Sequence, residues 1–447
     1  MMDWKNLLTP IRLGETQSGN FHSSSRSAYE ADYDRIIFSR PFRNLQDKTQ
    51  VFPLPDQDFV HTRLTHSLEV SSVGRSLGKA VGEQITQRHK DLNVTPQDFG
   101  AIVGAAALAH DVGNPPFGHS GETAISDFFR FSKTGQRIKD HVTSAEWSDL
   151  SNFEGNAQGF RLLTRNQRQG LKLTLPTLAA FSKYPCASAF KKREKARKSQ
   201  KKYGYFVSES KFFEEMASQL GLRRLSSSEN TWCRHPLTFL VEAADDICYN
   251  IIDIEDGFGL GLISLAEVKH FFSEILQDRY KPEKLNQIHS DKEKVGVLRA
   301  VTINKLIDEC AEVFVANEEL LLSGEFDSAL TQSIPSAKTL SDVGNFSVER
   351  LYKSHLVLAK EASGFEIIDN LLNCFATAVF NKYCDTSAYS GKSKSIYRLL
   401  PEEIRFNLDN ETLTLYERML LVTDYLSSLT DSSALRQYHI LNGIKIY

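Results

Sequence analysis

Phe99-Gly100-Ala101-Ile102-Val103-Gly104-Ala105-Ala106-Ala107-Leu108-Ala109-His110-Asp111 is the stretch whose reading sets the fold. Up to Ala109 it is unbroken and apolar, yet shorter than the roughly 20 residues of a bilayer span, so it reads as a buried helix. Thr95 and Pro96 supply the N-cap and first-turn pair that opens it. Val112 to Gly118, with Pro115-Pro116 and a glycine near each end, must turn. His110 and Asp111 therefore close a segment of small and aliphatic residues, where ionisable groups must be paired or bind a metal. The dipeptide alone also fits an ordinary helix end, with His near the negative end of the dipole.

Outward from this helix the pattern stays helical. Leu64, Leu68, Val73, Leu77 and Val81 have helical spacing and carry His66 with them. His235-Pro236 opens a strongly apolar helix to about Ile254, which contains Asp245. Beyond Leu260 helix follows helix, as at 297–315 and 367–380. Strand-like alternation is rare, and 13 prolines and 25 glycines are few for 447 residues. The expected class is mainly α. A polar arm spans 1–30, with Ser23-Ser24-Ser25. A core spans 31–260 and includes an irregular basic insertion at about 131–230. A helical region at 261–447 packs on the core and makes oligomer contacts.

Apolar residues at 41% and charged residues at 24% exclude wholesale disorder. The 53 basic and 56 acidic residues leave a net charge of −3, so no global positive field draws nucleic acid. The basic block 191–202 remains as a local patch. It is an ordinary solvated loop or, with Tyr203, Tyr205 and Phe206 beside it, a contact for single-stranded DNA or an effector nucleotide. The six cysteines include no C-x-x-C, and the N-terminus has no apolar signal-peptide run, so a reduced, cytoplasmic protein without a membrane span is expected.

His66, His110-Asp111 and Asp245 follow one another in the order H…HD…D, each at or inside an expected helix. Two imidazoles and two carboxylates suit a divalent first-row ion, whereas Mg favours more oxygen. This order resembles the HD superfamily of metal-dependent phosphohydrolases, and more closely the deoxyguanosine triphosphate triphosphohydrolases (dGTPases). Four further segments are similar to that family: 32–39, 45–53, Gly118-His119-Ser120-Gly121-Glu122 and Phe153-Glu154-Gly155-Asn156-Ala157-Gln158. The likeness is dense from about residue 20 to 260 and thin afterwards.

The resemblance implies an HD-domain helical body with His66, His110, Asp111 and Asp245 as ligands of a divalent metal ion. Mn or Mg stands first, and Fe, Co, Ni or Zn are alternatives. It implies His119 and Glu122 as a catalytic pair. By position alone these two equally fit a helix start, where Ser120 and Glu122 are favoured. The implied reaction is attack at the α-phosphorus of dGTP or another dNTP, releasing deoxynucleoside and inorganic triphosphate.

Arg63 stands one helical turn before His66 and suits bidentate phosphate contact. Lys183 and Lys202 resemble the family's phosphate-contacting lysines. Asp245, Tyr249 and Asp253 recur every four residues and so share one helix face, as a lined pocket or as a buried polar network. By resemblance Tyr249, Asp253 and Gln50 hold the deoxyribose. Asn156 fits either a base or phosphate contact or the cap of a turn. The acidic run 253–257 reads as a helix end, where the dipole disfavours it. Relatives form symmetric oligomers, which implies a homo-oligomer such as a hexamer. Other readings are an HD phosphohydrolase acting on a monophosphate, a cyclic nucleotide or guanosine tetraphosphate, or a nucleotide-sensing or nucleic-acid-binding protein.

Overall fold

Two helices lie against each other at the centre of the molecule: α1, Arg63–Arg88, and α2, Pro96–Ala109. In the computed structural model, residues 1–15, 26–50, 61–165, 171–190, 197–225, 230–353 and 355–444 are described. Among these residues the secondary structure is helical, with isolated β-bridges and no strand. No helix among them is long and apolar enough to cross a membrane. Ser23–Ser25 of the expected arm and 191–196 of the basic block lie outside the described residues.

The caps follow from the local sequence. The Thr62 hydroxyl accepts from the Thr65 N–H, and the Thr65 side chain accepts in turn from the Thr62 N–H. Thr95 and Asp98 form the reciprocal pair at the start of α2, with Pro96 in its first turn. The helices approach closely because α1 offers a face without side chains. A Cβ on Gly78 would stand only 2.6 Å from the Phe99 carbonyl oxygen. From Phe99 to Ala109 only Ala101 is not fully buried, which explains why nearly every residue there is apolar.

The remaining elements that build the site are α3, His119–Phe131; α4, Gly155–Thr164; α5, Leu175–Phe181; α6, Thr238–Gly259; and α7, Asp291–Ala316. They are followed by α8, His355–Tyr383; α9, Leu415–Ser428; and α10, Asp431–Leu441. Two apolar cores form. One joins α1, α2, α6 and α7, for example through Leu77, Ile102, Leu240 and Leu306. The other joins α3, α8 and α9 through Phe128, Leu371, Phe375 and Met419.

Two local expectations need correction. The helix carrying Asp245 starts at Thr238, because His235 is consumed as a buried spacer: its Nε2 reaches the Leu7 carbonyl at 2.9 Å, and its Nδ1 accepts from Leu237 N–H. That helix also runs on to Gly259, so Asp253 and its acidic neighbours sit before its end. Partners from other elements remove the mismatch: Tyr352 bonds Asp253, Arg299 pairs with Glu255 at 2.6 Å, and His61 with Asp256 at 2.8 Å. Near the N-terminus, Trp4 is buried, lies 5.7 Å from the Phe99 ring and donates to Glu318 at 2.9 Å. The first residues of the expected polar arm are thus seated against the chain's own core.

Candidate metal and catalytic site

The close packing of α1 on α2 brings His66 and His110 together, with ring centroids 5.3 Å apart. Asp245 of α6 completes the group: its Oδ1 is 3.2 Å from His66 Nε2 and 3.5 Å from His110 Nε2. Ligand atoms of these three residues all lie within 4.8 Å of one another. Asp111 Oδ2 is 3.5 Å from His110 Nε2, is buried and has no hydrogen-bond partner, while Oδ1 is 2.9 Å from Arg63. An orphaned carboxylate oxygen beside two imidazoles and a second carboxylate fits a cation. His110 Nδ1 donates to the Ala107 carbonyl at 2.7 Å, which leaves Nε2 as the free ring nitrogen.

For Asp245, Asp111 and His110 the charge states suit that use. Burial would raise Asp245, but Lys183, His110 and His66 outweigh it and hold its carboxyl well below the usual range. Burial likewise opposes Asp111, and Arg63 with the two histidines wins. Burial lowers His110. In His66 burial is outweighed by the hydrogen bond to Asp245 and by nearby carboxylates, so its pKa is raised.

A cavity of about 640 Å³ opens over this cluster. The turn after α2 delivers His119 to its wall. Gly118 has φ +61°, a left-handed conformation that favours glycine, and it lies beside the Arg63 guanidinium. His119 Nδ1 is 2.8 Å from Glu122 Oε2, and its side chain is 84% exposed to the opening. The other oxygen of Glu122 accepts from Gly155 N–H at the start of α4 at 2.7 Å. Burial would raise Glu122, but His119, Lys202 and the Gly155 N–H hold it below its ordinary value.

The cations and the nucleoside-side residues stand around the same opening. Arg63, Lys183, Lys202, Gln50, Asn156 and Tyr249 all line the cavity. Lys183 donates to Asp245 Oδ2 at 2.6 Å; burial would lower it, but Asp245 and Glu242 raise it. Lys202 bonds Glu154 at 2.9 Å and lies 4.0 Å from Glu122. Asn156 also donates to Glu154, at 2.7 Å. Gln50 Oε1 is buried without a partner. Asp253 is set back from the cavity wall, and its carboxylate accepts from the Tyr352 hydroxyl. Burial pushes Asp253 up to about 7. Gln158 turns inward, donating to Asp424 at 2.8 Å.

Sequence reasoning missed part of this wall. Asn114 and Tyr184 lie beside the residues singled out, Asn114 in the turn Gly113-Asn114-Pro115 and Tyr184 next to Lys183. Tyr352, Val357, Lys360 and Glu361 also line the cavity. They come from beyond residue 260, where the likeness is thin, and tertiary packing brings them here.

Residues 63–151 match the HD domain, and residues 336–440 match the phosphohydrolase-associated domain. A Synechocystis protein named deoxyguanosinetriphosphate triphosphohydrolase-like is 42% identical over the whole of both chains. A like-named Pseudomonas aeruginosa protein is 38% identical over 99% of each. A Salmonella schwarzengrund protein named deoxyguanosinetriphosphate triphosphohydrolase is 29% identical over 93% of this chain and 94% of its own. With such identity along its full length, and with the HD domain matched at 63–151, the chain belongs to the deoxyguanosinetriphosphate triphosphohydrolase family.

Proposed function

We propose that this protein hydrolyses dGTP, and with it other dNTPs, at the α-phosphorus, releasing deoxynucleoside and inorganic triphosphate. The observation that carries this reading is one cavity wall combining His110, Asp111 and Asp245, with His66 bonded to Asp245 behind them, the His119–Glu122 pair and the cations Arg63, Lys183 and Lys202. His66, His110, Asp111 and Asp245 hold a divalent ion, Mn or Mg first. When bound, the ion supplies charge to offset the phosphates and acidity to the attacking water. Glu122 orients the imidazole through Nδ1, so that Nε2 of His119 exchanges a proton with the leaving 5′-oxygen. Arg63, Lys183 and Lys202 draw the tetra-anionic chain into line. Tyr249 lies against the sugar and leaves no room for a 2′-hydroxyl. Gln50 brings an unpaired oxygen to the same side, and Asp253, set back from the wall, acts on the sugar through the Tyr352 hydroxyl that it holds. The protein works as a cytoplasmic homo-oligomer, a hexamer by family likeness, which light scattering tests.

The test is a panel of the four dNTPs and GTP with Mn, Mg, Co, Fe, Ni and Zn, reading the phosphate product. Inorganic triphosphate from dGTP is the expected result. Orthophosphate or pyrophosphate as the product overturns the reading.

A further inference from the structure

A carboxylate from the far end of the chain grips both loops that feed the cavity. Asp431, the first residue of α10, is buried. Its Oδ1 accepts from the Phe117 N–H at 2.9 Å. Its Oδ2 accepts from the Thr49 N–H at 3.2 Å and the Thr49 hydroxyl at 2.7 Å, and lies 3.0 Å from Lys360 Nζ. Thr49 immediately precedes Gln50. Phe117 stands two residues before His119 and has φ +64°, a conformation that a bulky side chain rarely adopts and that its surroundings must hold.

Neighbouring bonds tie the same pieces together. Lys48 Nζ donates to the carbonyls of Asn114 and Ser427, each at 2.6 Å. Asn44 donates to the Ser428 carbonyl at 2.8 Å, and Ser432 to Asp47 at 3.1 Å. Lys360 lies 5.9 Å from the Phe117 ring centre. The junction of α9 and α10 is thus bonded to the Gln50 loop and to the turn before His119, whereas the metal cluster rests on α1, α2 and α6.

We infer that Asp431 is a positioning residue for the reaction: one of its oxygens sets the turn that presents His119, and the other sets the loop that presents Gln50. The inference rests on the proposed hydrolysis and gives the C-terminal helices a part in it. An asparagine at 431 keeps one acceptor oxygen and replaces the other with a donor, so it cannot satisfy both loops. A valine at 49 removes a hydroxyl that donates to Asp431 and accepts from Lys360, and leaves the Phe117 N–H bond to Asp431 in place.

The full-length protein is assayed with Mn and dGTP for triphosphate release, and dGTP binding is measured alongside by calorimetry. For Asp431→Asn, kcat is expected to fall about 10- to 100-fold, the cost of misplacing a reacting group, and KM to rise. For Thr49→Val, KM and the dissociation constant are expected to rise about 5- to 30-fold, the size of the two lost hydrogen bonds, with kcat falling less than in Asp431→Asn. A folded Asp431→Asn protein with wild-type kcat and KM overturns the inference. If that variant does not fold, wild-type binding by Thr49→Val overturns it. Wild-type protein that binds dGTP but releases no triphosphate sinks the functional reading alone, and the Thr49 binding comparison still decides this one.

Discussion

Lys183 Nζ stands 2.6 Å from one oxygen of Asp245, while the other oxygen of that carboxylate faces His66 and His110. The lysine therefore touches the metal cluster and the cavity at once. Replacing Lys183 with Ala is expected to raise the KM for dGTP about 10- to 100-fold, as for loss of a charge-assisted hydrogen bond. Mn binding, read by calorimetry, should persist. Loss of Mn with an unchanged KM would reduce Lys183 to a partner of Asp245.

Glu122 is held as a carboxylate by His119, Lys202 and the Gly155 N–H, against its burial. Glu122→Gln keeps the shape and removes the charge that orients and supports the imidazole. Its kcat should drop about 10²- to 10⁴-fold, with KM little changed in steady-state assays. A pH–rate profile identical to wild type would show that the carboxylate's charge takes no part in the proton transfer.

The Tyr249 ring stands 5.7 Å from the Tyr352 ring, and both line the cavity. Removing the Tyr249 ring opens room beside the sugar. Tyr249→Ala should lower the preference for dGTP over GTP, in kcat/KM, by about 10-fold or more. An unaltered ratio would move sugar discrimination elsewhere in the pocket.

His61 lies between Asp256 at 2.8 Å and Glu69 at 3.2 Å. Burial works against its charge, but the two carboxylates prevail and raise its pKa from 6.5 to about 10. A raised histidine pKa means that its stabilisation is fully present below pH 6.5 and fades as pH passes 10. His61→Gln should therefore cost about 1–3 kcal/mol at neutral pH. In thermal melts the gap from wild type should close towards pH 10. A gap that stays constant across this range would contradict the assignment.

A Cβ on Gly78 would meet the Phe99 carbonyl oxygen at 2.6 Å. Alanine at 78 gains helix propensity of roughly 1 kcal/mol, yet it forces α1 away from α2. A net loss of about 1–3 kcal/mol is expected. Because His66 and His110 ride on these two helices, Mn affinity should weaken too. Retained stability and affinity would show that the helices adjust freely.

The cluster was legible in part: a His-Asp pair at the end of an Ala-Gly helix conflicts with its surroundings, and the resemblance supplied the partners His66 and Asp245 that the fold places beside it. The Thr95-Pro96 start of α2 was legible outright, since a cap is written in adjacent residues. The span of α6 was not. Asp253 to Gly257 looks like a helix end until Tyr352, Arg299 and His61 arrive from elsewhere to bond the acids. Lys360, Glu361 and Tyr352 were invisible as cavity residues because their role exists only through packing of distant segments. Trp4 was hidden likewise, its pocket being made by Phe99 and Phe314.

The cavity meets one apolar core through Val357 of α8 and the other through Phe117, with Lys360 and Glu361 of α8 between them on the wall. For a lineage under selection this separates two traits. Substitutions in α8 can reshape the cavity wall without touching His66, His110, Asp111 or Asp245. The cluster can be inherited intact while the wall around it drifts.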